Sequence, residues 1–186
     1  MHVLVPRSWP SRRTAVLGLV VASLAITSCI DATPYERPPP PKAQGQAPAP
    51  RVATAPANGW GDAIAWRHLD EGLAEAKAEG RPLMLVVHAS WCSRCKELKP
   101  AFQQARLAEL SERFVMVNAD QDQTPAALAY APDGTYIPRV VFIDPITGAA
   151  DEALQNPSRS RYHYYYGPRD DLAAMMEKAL ARHGKS

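Results

Sequence analysis

Two cysteines separated by two residues are the group in this 186-residue chain that is best suited to chemistry. Cys92 and Cys95 follow a continuous apolar run, 82–88, that is typical of a buried strand, and they precede apolar residues at helical spacing. The pattern therefore predicts a dithiol at the start of a helix. Two cysteines three residues apart in that position lie on one face, close enough to form a disulfide.

The start of a helix gives the two thiols different roles. Unpaired backbone N–H groups and the helix dipole favour negative charge there, which lowers the pKa of a thiol and creates the attacking thiolate. We therefore expect Cys92 to be the exposed nucleophile and Cys95, one turn deeper, to resolve the mixed disulfide. Arg94 lies between them. We hypothesise that its positive charge stabilises the reduced thiolate and makes the pair a better oxidant.

The same Cys-x-x-Cys spacing also occurs in half of a zinc site and in inert structural disulfides. The sequence has three cysteines and no second Cys-x-x-Cys pair, so it cannot complete a four-cysteine zinc site. A metallochaperone that holds copper(I) through Cys92 and Cys95 is the binding alternative, because soft thiolates suit copper(I). That protein would retain metal tightly, whereas an enzyme would turn over a disulfide substrate without metal.

The third cysteine, Cys29, ends a segment that is typical of export. Three arginines precede an uncharged apolar run over residues 15–26, which has the length of a signal-peptide core and is short for a membrane span. Residues 24–29 (LAITSC) resemble a bacterial lipoprotein signal. The sequence therefore predicts a signal peptide over 1–28, cleaved before a lipidated Cys29; the alternatives are an ordinary signal peptide or an uncleaved anchor.

Residues 29–58 are predicted to hold the lipid-anchor site and a linker rich in proline and alanine. Such a segment has little apolar surface to bury, so we expect it not to pack and to act as an extended spacer. The full chain has a net charge of +2 with 21 basic and 19 acidic residues; without the three arginines of the signal, 18 basic residues remain and the net charge is −1. This balance argues against a nucleic-acid partner.

Residues 59–186 are predicted to form one domain in which strands and helices alternate, as in an α/β fold. The predicted elements are a helix from Asp70, as its cap, to Glu79 with Gly80 ending it, the strand 82–88, a helix from Cys92 to about Leu110, strands at 114–118 and 139–143, and a final helix opened by Pro168. The tyrosine-rich segment 162–166 fits an edge strand, or alternatively a recognition surface. Asp120 and Asp122 fit a solvated turn better than a calcium site.

The order strand, Trp-Cys-x-x-Cys-Lys, helix, with Pro100 five residues after the second cysteine, resembles the thioredoxin superfamily. The segment 136–139 (Tyr-Ile-Pro-Arg) before a strand is a second match. The resemblance narrows to the small endoplasmic-reticulum thioredoxin-like and anterior-gradient proteins. Its matching segments are 59–66 (GWGDAIAW), 81–100, 114–122, 132–145 and 162–166.

This resemblance implies a thioredoxin-like α/β fold with a central mixed sheet flanked by helices. It also implies a thiol–disulfide oxidoreductase that acts on cysteine-containing proteins, with a redox partner of unknown identity and with no bound organic cofactor or metal. Pro138 is then expected to be cis and to face the dithiol, so that the backbone of Ile137 can pair with an extended substrate; the alternative is an ordinary trans proline. Trp91 is expected to shield the dithiol and contact substrate. A non-enzymatic chaperone that uses the same groove is a further alternative.

The chain departs from these families at three places. Thioredoxins usually carry a buried acid six residues before the first cysteine, and Val86 occupies that position here. His88 lies on the same strand face and is a candidate proton acceptor for Cys95, with a packed structural histidine as the alternative. The sequence ends at residues 183–186 (HGKS) without a retention tetrapeptide, and it begins with the lipoprotein-like signal. We therefore expect a monomer anchored by lipid in a bacterial envelope, facing the periplasm, with the outer membrane slightly favoured.

Overall fold

The computed structural model describes residues 51–184. The predicted signal, Cys29 and most of the predicted linker lie outside the described residues. Within residues 51–184, no helix is long and apolar enough to cross a membrane. The elements, in chain order, are β1 (Trp66–Arg67), α1 (Leu69–Glu79), β2 (Leu83–His88), α2 (Ser93–Leu98), a 3₁₀-helix (Lys99–Gln103), α3 (Ala105–Ser111), β3 (Val115–Asp120), a second 3₁₀-helix (Pro125–Ala129), β4 (Arg139–Ile143) and α4 (Leu172–His183).

The four strands form one mixed sheet in the order β1-β3-β2-β4. β1, β3 and β2 are parallel, and β4 pairs antiparallel with β2. Every residue of the two central strands is buried, which explains why both read as continuous apolar runs in the sequence. The predicted α/β class, with a central mixed sheet flanked by helices, is confirmed.

Alternate side chains of β2 belong to two apolar clusters on opposite faces of the sheet. Met84 and Val86 pack in the cluster that holds both cysteines and residues of α4, whereas Leu83 and Leu85 pack in the cluster that includes residues of α1. His88 continues the first series because side chains alternate along a strand. β2 therefore directs His88 toward the layer that contains the dithiol, as the sequence predicted.

The prediction of a single helix from Cys92 to Leu110 is wrong, because the structure divides this stretch into three short helices. After α2 the α-helix changes to a 3₁₀-helix that has Pro100 in its first turn. Gln104, which follows, has an extended backbone with φ −73° and ψ 136°. Proline has no N–H to donate to the preceding turn, and its ring clashes with that turn's carbonyl. Pro100 therefore ends the regular α-helix shortly after the dithiol instead of only bending it.

The ends of the first and last helices also differ in detail from the sequence prediction. Asp70 lies in the first turn of α1, whose cap position is His68, and Gly80 ends the helix in the left-handed region with φ 60°, as expected. The last helix starts later than predicted. Asp171 caps α4 through its side chain, three residues after Pro168.

The tyrosine-rich segment 162–166 contains no strand, so that prediction is wrong. Tyr162 has a φ of 57°, a left-handed conformation that interrupts an extended chain. A single backbone hydrogen bond, from the N–H of Val140 to the carbonyl of Tyr164 at 2.8 Å, joins the segment to β4. Tyr164 and Tyr166 are nevertheless buried, and Tyr162 is exposed. The sequence pattern therefore reflects alternating burial along an irregular loop and not along a strand.

The last residues of the predicted linker belong to the domain. Residues 51–58 lie along the β1 edge, where the N–H of Ala55 donates to the carbonyl of Trp66 at 3.2 Å and Ala55 is buried. The Asn58 side chain donates to the Asn118 side chain at 3.0 Å. These hydrogen bonds join residues 51–58 to the edge of the sheet, so the folded domain includes residues before 59.

Candidate active site

Cys92 and Cys95 form a disulfide across the first turn of α2, with Cα atoms 5.3 Å apart. Cys92 is the cap residue of this helix, and its Sγ accepts the backbone N–H of Cys95 at 3.0 Å. Cys95 is 0 % exposed and Cys92 is 6 % exposed. The order of accessibility agrees with the predicted roles, but Cys92 is less exposed than predicted because it packs in the apolar cluster beside β2.

The cap position explains how the reduced pair can react. The N–H of Cys95 that donates to the disulfide sulfur is also in place to donate to a thiolate at Cys92. A hydrogen bond to the charged form favours that form, and a thiolate is the nucleophile in disulfide exchange. Because Cys95 lies deeper in the same turn, it is in place to attack any disulfide formed on Cys92.

The Ile137–Pro138 peptide bond is cis and directly precedes β4. Pro138 is buried. Ile137 is half-buried and packs against both apolar clusters, one of which contains the two cysteines. The structure therefore brings Ile137 to the layer that holds the dithiol, and the cis bond expected from the resemblance is present.

Trp91 projects from the loop before the dithiol and is 65 % exposed. Its indole Nε1 donates to the Asp122 carboxylate at 2.7 Å. The carboxylate of Asp120 accepts the N–H of Ser90 at 2.9 Å and the N–H of Asp122 at 3.0 Å. Asp120 thus joins the loop after β2 to the loop after β3, and this connection holds Trp91 in place.

The role of these two aspartates was missed by the sequence analysis. Asp120 is buried, not solvated, and within residues 51–184 there is no group of three or more acidic, cysteine or histidine side chains that could hold a metal. The signal that could have identified them is their position directly at the carboxyl end of β3. Loops at the carboxyl ends of neighbouring parallel strands meet, and β2 ends in the loop that carries the dithiol.

His88 is 3 % exposed, and its ring lies 5.1 Å from the ring of Trp60. Neither ring nitrogen makes a hydrogen bond of normal geometry within the described residues, although the Asn118 side chain and the main chain of Ala89 lie beside the ring. Burial lowers the pKa of His88 from its ordinary 6.5, although the nearby Asp120 carboxylate and Asn118 side chain act in the opposite direction. The imidazole is therefore neutral at pH 7.

Lys99 completes the surroundings of His88. Its Nζ lies 5.6 Å from the centroid of the Trp60 ring and donates to the carbonyl oxygen of Asn58. The positive charge of Lys99 is a further cause of the lowered pKa of His88. Neither Trp60 nor Lys99 was singled out from the sequence, because nothing in the local pattern indicates that the chain before β1 folds back over the strand end.

Arg94 is exposed and donates to the Glu97 carboxylate at 2.9 Å, one turn further along α2. The arginine is thus paired with an acid that partly neutralises its charge. Any effect of Arg94 on the sulfurs therefore depends on Glu97 as well, which the sequence analysis did not consider.

Comparisons with known proteins agree with this geometry. A thioredoxin-like family model matches residues 65–145. Anterior gradient protein 2 of Xenopus tropicalis is 37 % identical over 134 residues, which cover 71 % of this chain and 80 % of that protein. The human anterior gradient protein 2 homolog is 33 % identical over 136 residues, covering 70 % and 75 %. The chain belongs to the anterior-gradient family.

The fold of this anterior-gradient protein is also found among solved structures. A thioredoxin from Thermus thermophilus superimposes with a TM-score of 0.52 at 23 % identity, over 66 % of this chain and 91 % of that one. The thioredoxin-like fold, together with a cysteine pair joined as a disulfide at the start of a helix, makes the chain a thiol–disulfide oxidoreductase.

The lowered pKa of His88 predicts that the folded protein loses stability in acid. Below pH 6.5 the unfolded chain takes up a proton on this histidine, and the folded chain does so only at lower pH. The unfolded state then binds more protons, so the free energy of unfolding falls as the pH falls. Urea unfolding of the oxidised protein between pH 5 and pH 8 should show this slope, and His88→Phe should reduce it.

His68 provides the matched control, since it is exposed at the start of α1. His68→Gln should keep the pH slope of the native protein. Equal slopes for the native protein and His88→Phe would show that the buried histidine does not control acid stability.

Proposed function

We propose that this protein exchanges dithiols and disulfides with protein substrates in the bacterial envelope, where lipid on Cys29 holds it at a membrane. The observation that carries the redox part is the Cys92–Cys95 pair at the start of α2, with the more accessible sulfur on the nucleophile. The exposed Trp91 and the half-buried Ile137, which packs against the cluster of the dithiol, support a polypeptide as the substrate.

The proposed reaction is balanced without a cofactor. In the reducing direction the Cys92 thiolate attacks one sulfur of a substrate disulfide, so that a mixed disulfide forms and one substrate thiolate leaves. The Cys95 thiol loses its proton and attacks the Cys92 sulfur, which releases the second substrate thiolate. Two electrons pass to the substrate, and the protein is left with the Cys92–Cys95 disulfide. Oxidation of a substrate dithiol is the reverse sequence.

Trp91 and Ile137 are the proposed substrate contacts beside the sulfurs. Trp91 presents a large apolar surface whose indole is fixed by Asp122, so binding a substrate against it costs little side-chain entropy. Ile137 precedes the cis proline, and its main chain is the proposed partner of an extended substrate segment.

His88 is the proposed proton acceptor for Cys95. It replaces the buried acid that is absent at Val86, and β2 directs it to the layer of the dithiol. Its two ring nitrogens are without hydrogen-bond partners of normal geometry, and burial keeps the ring neutral at pH 7. A neutral buried imidazole can take a proton from the resolving thiol directly or through one water.

This role predicts a selective effect on the second half of the reaction. When the reduced protein reacts with Ellman's reagent, the first thionitrobenzoate leaves as Cys92 attacks and the second leaves as Cys95 resolves the mixed disulfide. In stopped-flow absorbance at pH 7, His88→Phe should slow the second phase by about tenfold or more and leave the first within about twofold. The defect should diminish at high pH, where Cys95 ionises unaided. Equal effects on both phases, or no effect on either, would contradict this role, and His68→Gln is the control.

Arg94 is the proposed modulator of the reduction potential, in competition with Glu97. Arg94→Ala should make the pair more reducing, because the reduced thiolate loses a favourable charge. Glu97→Gln should make it more oxidising, because Arg94 then acts without its partner. We expect shifts on the order of 10 mV, since Arg94 is solvent-exposed. Equilibration with glutathione buffers measures both, and an unchanged or more oxidising potential in Arg94→Ala would refute the hypothesis.

The envelope location rests on the amino-terminal sequence. Three arginines, the apolar run 15–26 and the residues before Cys29 are the features of a lipoprotein signal. Two or three acyl chains on one cysteine would make the anchor effectively permanent. The proline-rich segment after Cys29 would act as a spacer that allows the domain to reach protein substrates away from the membrane surface.

The experiment that tests the proposed function traps its substrates in a bacterial host. In the full chain with Cys95→Ala, mixed disulfides on Cys92 cannot be resolved and should accumulate as covalent adducts that disappear on reduction. Non-reducing electrophoresis of envelope fractions, followed by mass spectrometry, identifies the trapped proteins. Cys92→Ser in the same background should abolish the adducts.

Two outcomes separate the parts of this proposal. Cys29→Ala should move the protein out of the membrane fraction while the adducts persist, and retention in the membrane would refute the lipid anchor. If the Cys95→Ala chain carries no trapped protein although its Cys92 reacts with Ellman's reagent, proteins are not its substrates.

A further inference from the structure

Arg139 is a buried charge that the redox chemistry described above does not use. It is the first residue of β4, follows the cis Ile137–Pro138 bond, and is 0 % exposed. A charge is costly to bury unless its hydrogen bonds are satisfied. An arginine in this position therefore needs a specific set of acceptors.

The guanidinium donates to main-chain carbonyl oxygens, each from a different nitrogen. The Nε of Arg139 donates to Tyr130 at 2.8 Å, and one terminal nitrogen donates to Tyr136 at 2.7 Å. The other terminal nitrogen makes a longer contact of 3.4 Å with the carbonyl of Ala127. The three acceptors lie in one stretch of chain, from the second 3₁₀-helix to the residue before Ile137.

This stretch, residues 127–136, comprises the end of the second 3₁₀-helix and a loop with little regular structure of its own. Its backbone bonds include the N–H of Tyr130 to the carbonyl of Ala127 and the N–H of Gly134 to the carbonyl of Ala131. Arg139 adds contacts at both ends of the loop and thereby joins them to the start of β4. The loop leads directly into Ile137, so its position decides where the main chain of Ile137 lies.

A second set of contacts, made by the Tyr136 side chain, also fixes this loop. The Tyr136 hydroxyl donates to the carboxylate of Asp133 and accepts the N–H of Tyr164 at 2.9 Å. The Tyr136 ring also contacts the ring of Tyr162 at 4.8 Å between centroids. Arg139 inside and Tyr136 outside thus fix the segment that precedes the cis bond.

We propose that Arg139 is a positioning residue for polypeptide substrates, which holds the loop 127–136 so that the main chain of Ile137 is fixed for an extended substrate. This inference rests on the proposed function, since it needs a protein substrate. It separates two properties of the site. Affinity for a polypeptide depends on the loop, whereas the chemistry of the sulfurs depends on α2 and its surroundings.

Lysine cannot replace arginine here. The guanidinium presents donors in a planar fork that reaches carbonyls at separate points, whereas an ammonium is a compact point charge on a flexible stem. Arg139→Lys keeps a nitrogen donor on a stem of similar length and loses the simultaneous contacts at the two ends of the loop. It is therefore the substitution that tests positioning with the smallest change in packing.

The experiment compares two substrates of the full, reduced chain in single-turnover reactions. One is a peptide of about twenty residues with a single disulfide and a fluorophore–quencher pair, and the other is Ellman's reagent, which makes no main-chain pairing. Arg139→Lys should raise the half-saturating peptide concentration about tenfold. The limiting rate with the peptide and the rate with Ellman's reagent should stay within about twofold.

Arg67→Lys is the matched control, because Arg67 is also buried, donates to main-chain carbonyls as well as to Glu75, and lies on β1 at the opposite edge of the sheet. It should change neither reaction. If Arg139→Lys does not fold, as judged by circular dichroism, Tyr136→Phe carries the test and should raise the half-saturating peptide concentration several-fold.

The outcomes are distinguishable. An unchanged half-saturating concentration in Arg139→Lys, or in Tyr136→Phe where that variant carries the test, would overturn the inference, and so would an equal loss with both substrates. If the native protein reacts with Ellman's reagent but shows no saturable reaction with the peptide, the proposed protein substrate fails, and the inference fails with it.

Discussion

The structure of the site depends on one hydrogen bond, from the backbone N–H of Cys95 to the sulfur of Cys92. It makes Cys92 the cap of α2 and places the second sulfur inside the same turn, so that one sulfur is reachable and the other is buried. The rest of the fold serves this geometry. The buried strand β2 leads the chain to the cap position, and regular α-helix ends after the six residues of α2, shortly before Pro100. A short helix followed by a narrower one gives Lys99 a position beside the strand end.

Two buried cationic or titratable side chains lie near the end of β2, on opposite faces of the sheet, and the structure satisfies them differently. Arg139 stays charged because main-chain carbonyls accept its hydrogen bonds. His88 lacks such partners, and burial next to Lys99 keeps it neutral. A carboxylate at Val86 would have been buried among apolar side chains of the central strand, at a large desolvation cost. A neutral imidazole at the strand end provides an acceptor without burying a negative charge.

The sequence analysis predicted those features that depend on local pattern. Apolar runs predicted the strands β2 and β4, and Gly80 predicted the end of α1. The spacing of the cysteines predicted their position at the start of a helix. It failed where long-range contacts decide the structure. The tyrosine-rich segment alternates in burial without pairing as a strand, because Tyr162 takes a left-handed conformation. Asp120 looked like a turn residue, although its carboxylate satisfies backbone N–H groups from two different loops. The acceptors of Arg139 lie up to twelve residues away in the chain, which no periodicity reveals.

The position of residues 51–58 changes the interpretation of the linker. A segment rich in proline and alanine was expected to remain separate from the domain, yet its last residues supply contacts around the candidate proton acceptor. The carbonyl of Asn58 accepts from Lys99, and the Asn58 side chain donates to Asn118, which lies close to His88. Trp60, two residues further on, covers the imidazole with its ring. The segment that joins the proposed tether to the domain is therefore also part of the wall that excludes water from His88, and the functional unit includes it.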